Sequence, residues 1–250
     1  MEGEVRGVFM EPSAVPAMSR KLAAQALHDV KLASARFKQL RDEGLGSLCT
    51  ALRPRLRGLL DPLAGKSAAI RYELTEAEYA KNEDHYPFLD EFKVNAVRLM
   101  EPFEGHLTST NYSVLVLRCV GLVVRRLEGV ILKKRFNQMG GMQFGRDVRS
   151  MSQFFTRWHD RVKDKAENEG FGEELENEGG AGEATSVRHL FKRLLQVAAV
   201  LGVDRAKDAL DYCRRDGAGR GGSGLSRSDV RKSLALRVDF DAREVDELGL

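Results

Sequence analysis

The sequence predicts an all-α fold of stacked antiparallel helical bundles, and three observations carry that prediction. Apolar residues recur at spacings of three and four along most of the chain, as in Leu22, Ala26, Val30, Ala33, Phe37 and Leu40, the period of a helix that buries one face. No stretch alternates polar and apolar residues as a half-buried strand would. The region from Leu107 to Phe136 contains no proline and only Gly121 and Gly129 as weak points. As one helix it would extend about 45 Å at roughly 1.5 Å per residue.

Residues 1–18 include Pro12 and Pro16 with little periodic pattern and read as a loose lead-in. Residues 19–166 read as a helical bundle. Its first helix spans Ser19–Glu43, about seven turns, and Gly44 and Gly46 end it. Leu48–Leu63 repeats the pattern with Leu52, Leu56, Leu59 and Leu60, and Pro54 should start or kink that helix rather than sit inside it. From Ala64 to Tyr86 the pattern dissolves into acids beside Tyr72, Tyr79 and Tyr86, a surface connection that lays aromatic anchors on the bundle. Pro87 suits the first turn of a helix running to about Met100 and carrying Phe88, Phe92 and Leu99 inward.

Along the long segment, Val116, Val120, Val123, Leu127, Val130 and Ile131 form one stripe, while Leu115 and Leu122 begin a second. Two apolar faces require neighbours on two sides, as for a central rod. A helical pattern resumes from Arg146 to Lys165, and the pair Gly140-Gly141 between these segments reads as a rigid corner between rods.

Composition sets a boundary next. Between Lys163 and Ser186 stand eight acids against two lysines, so that stretch is net negative by six and the remainder net positive by nine, given the total of +3. Residues 167–185, acidic and glycine-rich, bury too little apolar surface to offset the entropy of ordering them and read as a linker or insert. Residues 186–250 read as a small C-terminal helical domain. Its first helix carries Val187, Leu190, Phe191, Leu194, Ala198 and Leu201 and stops at Gly202. Asp204 is placed to cap the next helix, through Ala209, Leu210 and Tyr212; Arg214–Gly224 is a second loose segment; Ser226 with Asp229, and Asp241 with Glu244, have capping-box spacing.

Several function classes are disfavoured. The formal charge of +3 on 250 residues is too small to argue for nucleic acid. Cys49, Cys119 and Cys213 are odd in number and far apart, which suits reduced thiols in a cytosolic protein better than a disulfide framework. The most apolar run, Val114–Val124, is interrupted by Arg118 and falls well short of the roughly 20 residues a membrane span needs. The opening residues carry acids and no apolar core, unlike a signal peptide.

Motifs for chemistry fare no better. Gly217, Gly219 and Gly222 have dinucleotide-fingerprint spacing, but no strand leads in. Gly65-Lys66-Ser67 resembles the tail of a phosphate loop, yet the position needing its first glycine is Leu60. His28, His85, His106, His159 and His189 are scattered without metal-ligand spacing, and Trp158-His159-Asp160 has no serine or cysteine tied to it by a motif. No catalytic residue, metal site or cofactor is expected.

Two features point to interaction instead. Arg125, Arg126, Lys133, Lys134, Arg135, Arg146 and Arg149 gather around the glycine pair and suit either a solvated helix face or contact with anionic membrane surfaces. Arg193 lies roughly 110° around its helix from the apolar stripe, a flanking place from which it can reach Asp229 at the start of the following helix. A desolvated bidentate pair there would fix the two elements, and losing one partner would cost on the order of 3 to 5 kcal/mol.

The blocks FNQMGGMQFGRDVRSMSQFF, RHLFKRLLQVAAVLGVDRAKDALDY and SDVRKSLALRVDF, together with DVKLASARFKQLRDEGL near the start, resemble the C-terminal region of the subunit-four family of the conserved oligomeric Golgi complex, over approximately Met18–Leu250. The acidic insert and the glycine-rich stretch before Leu225 depart from the pattern, both in connections. The resemblance implies a vesicle-tethering protein of the helical-rod type with no active site, peripheral at the cytosolic face of the Golgi and acting in retrograde transport within the stack. It implies assembly with the other subunits of an eight-membered complex and contact with membrane-fusion proteins and small GTPases. Typical members are considerably longer, and the chain reads as a fragment without the N-terminal half used in assembly. Within the first block, Gly140 and Gly141 would turn the long helix back into the bundle, with Phe136, Met142 and Phe144 pinning the turn.

Overall fold

A computed structural model describes residues 17–64, 70–84, 86–168, 186–213 and 225–250. The lead-in before Ala17, Gly65-Lys66-Ser67, the acidic stretch beyond Asn168 and the glycine-rich segment 214–224 lie outside the described residues. The chain divides into two compact units, residues 1–50 and 51–250. No strand is present among the described residues, and the architecture is all-α.

Helix α1, Ala17–Gly58, runs further than its glycines suggest. A glycine stops a helix when its backbone turns left-handed, and neither Gly44 nor Gly46 does so. The apolar period also continues through them, with Leu45, Cys49, Leu52 and Leu56 all buried. Pro54 sits inside this helix. The carbonyl that its missing N–H would have satisfied belongs to Thr50, which is exposed as Pro54 is, so water can serve that acceptor. In the first unit the stripe of Leu22, Val30, Phe37 and Leu40 is exposed, Phe37 to 73%.

The second unit begins with the last turns of α1 and the single turn α2, Asp61–Ala64, where Leu60 and Leu63 are fully buried. Helix α3 spans Glu76–Asp84. Helix α4, Pro87–Glu104, starts with proline in its first turn, and its inward face is Phe88, Phe92, Ala96 and Met100. That spacing of four leaves Leu99 only half-buried.

Helix α5, Ser109–Ile131, is the central rod, capped by Thr108, whose side chain accepts from Asn111 N–H at 3.3 Å. All six residues of its main stripe and Leu115 are buried, as two-sided packing demands. The rod is shorter than Leu107–Phe136. Its last turn tightens as Lys133 and Lys134 N–H groups donate to the carbonyls of Val130 and Ile131, and from there backbone pairing with distant segments takes over.

Helix α6, Gln138–Asn168, contains Gly140 and Gly141 in its first turn. The corner itself therefore falls at residues 132–137, and the glycines belong to the second rod. The inward face of α6 is Phe144, Val148, Met151, Phe155, Trp158 and Val162, while Met142 is out of phase and exposed.

Helix α7, Val187–Leu201, is capped by Ser186, which accepts from His189 N–H at 3.2 Å, and ends at Gly202. Ala206–Tyr212 is a 3-10 helix whose N-cap is Arg205. Asp204 instead accepts from the Gln138 side chain at 3.1 Å. Helix α8, Arg227–Leu234, is capped by Ser226, and α9, Ala242–Glu247, by Asp241. Helix α6 packs most extensively on α7 and also on α5, α4 and α3; α5 packs on α4 and α7, and α8 packs on α7. The described residues from Ser186 onward fall in the same compact unit as α4 to α6.

Candidate functional site

Backbone pairing between segments distant in sequence converges where α5 gives way to α6. Phe136 pairs through its backbone with two strangers in sequence, Tyr72 on one side and Arg237 on the other. Its N–H donates to Leu236 O at 2.9 Å and its carbonyl accepts from Val238 N at 2.8 Å. Asn137 extends the join: its N–H donates to Tyr72 O, its side-chain oxygen accepts from Leu74 and Gly140 N–H, and its amide donates to Leu74 O at 2.7 Å. The bond to Gly140 also makes Asn137 the cap of α6. Three chain segments are therefore tied at one point before the second rod begins.

Gly140 and Gly141 allow that tie. A Cβ on Gly140 would overlap the Tyr72 carbonyl, and one on Gly141 would overlap the carbonyl of Leu201 at the end of α7. Both neighbours are backbone and cannot rotate away. Phe136 and Phe144 are fully buried, and with Tyr72 they form a cluster of three rings whose centroids lie 5.0 to 5.8 Å apart.

Arg237 closes the same junction from the C-terminal side. Its side chain is 1% exposed. One guanidinium nitrogen donates to Leu201 O at 2.7 Å and Val203 O at 2.9 Å, capping α7. The others bind both oxygens of Asp239, whose second oxygen also accepts from Gln138 N–H. Phe240 lies against the guanidinium, its ring centroid 4.1 Å from Cζ. Sequence reasoning passes over Arg237, because its ligands are carbonyls more than thirty residues away; the one available signal is an arginine within the apolar run Leu234–Val238.

A buried polar group lies one turn further along α6. Tyr72 Oη donates to Asp147 at 2.7 Å and the Gln143 amide donates to the other Asp147 oxygen at 2.8 Å. Asp147 is 1% exposed, and burial pushes its carboxyl up to about 7 despite those two donors. Burial and the Asp147 charge hold the Tyr72 hydroxyl well above its ordinary range. The Gln143 carbonyl oxygen is buried and has no partner among the described residues.

The structure brings Arg193 and Asp229 together. The guanidinium donates to both carboxylate oxygens, at 2.8 and 3.1 Å, and lies 3.4 Å from Glu128 of α5. The pair links α7 and α8, and Glu128 ties it to the central rod. Arg193 is half exposed, so this is a surface-edge pair and the cost expected for a desolvated one must be reduced. Hydrogen bonds from Arg193 hold the Asp229 carboxyl below its ordinary range, whereas burial pushes Glu128 up.

The basic cluster is partly taken up by the residues before α4. Lys134 donates to Ile70 O at 2.9 Å, Arg135 lies 3.7 Å from Glu73, and Arg146 binds Glu83 at 3.0 Å with Tyr79 beneath it.

Catalytic geometry is sparse among the described residues. Ser113 Oγ and His159 Nε2 are 2.9 Å apart, a pair the sequence does not suggest, since 46 residues separate them. Ser113 is buried, and among the described residues His159 has no hydrogen bond to a carboxylate, Asp160 acting on it only through its charge. Such a pair fixes α5 to α6 but offers no accessible nucleophile. No described group of histidine, cysteine, aspartate and glutamate has metal-site geometry, and no disulfide joins Cys49, Cys119 or Cys213 among the described residues. No described helix is long and apolar enough to cross a membrane.

The family model for the C-terminal region of conserved oligomeric Golgi complex subunit 4 matches residues 17–232. Conserved oligomeric Golgi complex subunit 4 of Arabidopsis thaliana is 30% identical over 250 residues, covering 100% of this chain and 29% of the relative. The Homo sapiens protein of the same name is 28% identical over 228 residues, covering 90% and 25%, and that of Dictyostelium discoideum 26% over 216 residues, covering 86% and 20%. The chain thus spans less than a third of the length of the curated relatives it matches. Together with the all-α fold, these matches show that the chain belongs to the family of conserved oligomeric Golgi complex subunit 4 and corresponds to its C-terminal region.

Proposed function

We propose that this chain is a non-catalytic C-terminal part of a Golgi vesicle-tethering subunit, acting through protein–protein contacts in retrograde transport within the stack. Its partners on this reading are other subunits of the complex, membrane-fusion proteins and small GTPases, met at the cytosolic face of Golgi membranes. The observation that carries the reading is the family match across residues 17–232. The junction agrees with it physically: buried groups at the end of α5 are used to hold helices at fixed angles, and a tether needs stiff elements that present surfaces at a distance.

The test is affinity capture from cytosol with the purified chain, at low and at physiological salt. Salt-tolerant recovery of other subunits of the complex is expected. Recovery of none, or capture lost steeply as salt rises, would reject the scaffolding role in favour of a generic electrostatic binder.

A further inference from the structure

A groove of about 480 Å³ runs between α4 and α6, and its chemistry is one-sided. Val97, half-buried Phe154 and Trp158 supply an apolar floor, and Lys93, Arg157 and Arg161 stand along it. No carboxylate lines it; the acids Asp90 and Glu101 of α4 do not contribute. Lys93 and Arg157 make no ion pair among the described residues. Arg161 comes only to 3.9 Å of Glu104, which is shared with Lys165 at 3.7 Å. Cations held beside a low-dielectric floor, with Glu104 at one end as the counter-charge at hand, attract an anionic ligand more strongly than the same cations scattered on an open face.

From this charge pattern we propose that the groove docks an acidic peptide segment of a partner protein that carries a bulky apolar side chain. The carboxylates would meet Lys93, Arg157 and Arg161, and the apolar side chain would cover Phe154 and Val97. A protein segment fits better than a bilayer because the aromatic floor is recessed between two helices, where a flat headgroup layer cannot follow. The proposal gives one surface to the tethering role and rests on that reading only for its biological setting.

The test uses the purified 250-residue chain and a short fluorescein-labelled peptide of glutamate and serine with one central leucine, followed by anisotropy. Saturable binding is expected. Lys93→Glu with Arg157→Glu should weaken it at least tenfold or so, and leucine-to-glycine exchange in the peptide should weaken it severalfold. Lys207→Glu, an exposed charge reversal outside the groove, should leave it unchanged. Circular dichroism and melting midpoints establish that the variants fold; should the double reversal not fold, Lys93→Gln with Arg157→Gln replaces it, with a severalfold loss expected. Equal binding by the parent and the groove variant overturns the proposal. So does groove-dependent binding to phosphatidylserine vesicles without binding to the peptide, which would assign the groove to lipid headgroups. Peptide binding that emerges only after deletion of residues 169–184 overturns it too, in favour of the chain's own acidic stretch. Because no Golgi component is present, failure here leaves the capture experiment to judge the tethering role separately.

Discussion

The backbone of Gly140 lies directly against the carbonyl of Tyr72, sixty-eight residues earlier, so closely that no side chain fits between them. This contact, with that of Gly141 against Leu201, sets where the second rod starts and how near it comes to its neighbours. Gly140→Ala should therefore destabilise the chain by on the order of 3 kcal/mol, because the clash is with backbone and cannot relax through a rotamer. Gly129→Ala, in an exposed helical position with nothing within 4 Å, should stabilise by about 0.5 to 1 kcal/mol. Urea midpoints of the two variants distinguish a packing role from a general glycine effect.

Arg193 and Asp229 should couple by about 1 kcal/mol in a double-mutant cycle, well below the value for a buried pair, because Arg193 is half exposed. The coupling should shrink in high salt. Exchanging the two residues should restore only part of it, since an aspartate at position 193 would face Glu128, now 3.4 Å from the guanidinium. Full restoration by the swap would mean that Glu128 takes no part.

Arg237→Ala should cost more than loss of Arg193, about 2 to 4 kcal/mol, as it leaves the Leu201 and Val203 carbonyls without their donor beside an almost fully buried side chain, while Asp239, 36% exposed, can turn to water. Arg237→Lys should recover little, because one ammonium cannot serve Asp239 and the end of α7 in the same fork geometry. Denaturant titration of both variants checks the order.

Asp147 gives the fold a pH dependence of definite sign. Its carboxyl stands near 7 in the folded chain against an ordinary 3.8, so the folded state holds the proton more tightly than the unfolded one. The associated stability is fully present below pH 4 and is lost as pH rises through 7, an upper figure of about 4 kcal/mol. Asp147→Asn should abolish that component, and its amide can donate to the Gln143 oxygen once the Gln143 amide turns over. Its stability relative to the parent should therefore rise between pH 5 and pH 8, measured by urea unfolding at each pH.

The legible parts of this structure are those set by neighbours in sequence. The α5 stripe follows from spacing alone. The meeting of Arg193 with Asp229 follows from one helical-wheel position and one capping serine, both local. Helix α1 runs on past Gly44 and Gly46 because neither takes the left-handed turn and the buried stripe continues through them as Leu45, Cys49 and Leu52. The corner was misplaced by several residues for a different reason: Phe136 leaves the helix because Leu236 and Val238 claim its backbone, and nothing near Phe136 announces them. Arg237 and Asp147 stayed hidden likewise, since a buried charge is recognisable only by partners that folding brings from elsewhere.

The central claim is that this chain supplies the C-terminal region of a working tether subunit, and the most direct measurement is to substitute it for that region of the Homo sapiens relative in cells lacking that relative. The chimera should co-purify with the other subunits of the complex and restore retrograde traffic within the Golgi, whereas the same chimera carrying Gly140→Arg should not. A folded, abundant chimera that joins the complex yet restores no traffic would contradict the account, as would full restoration by the Gly140→Arg form.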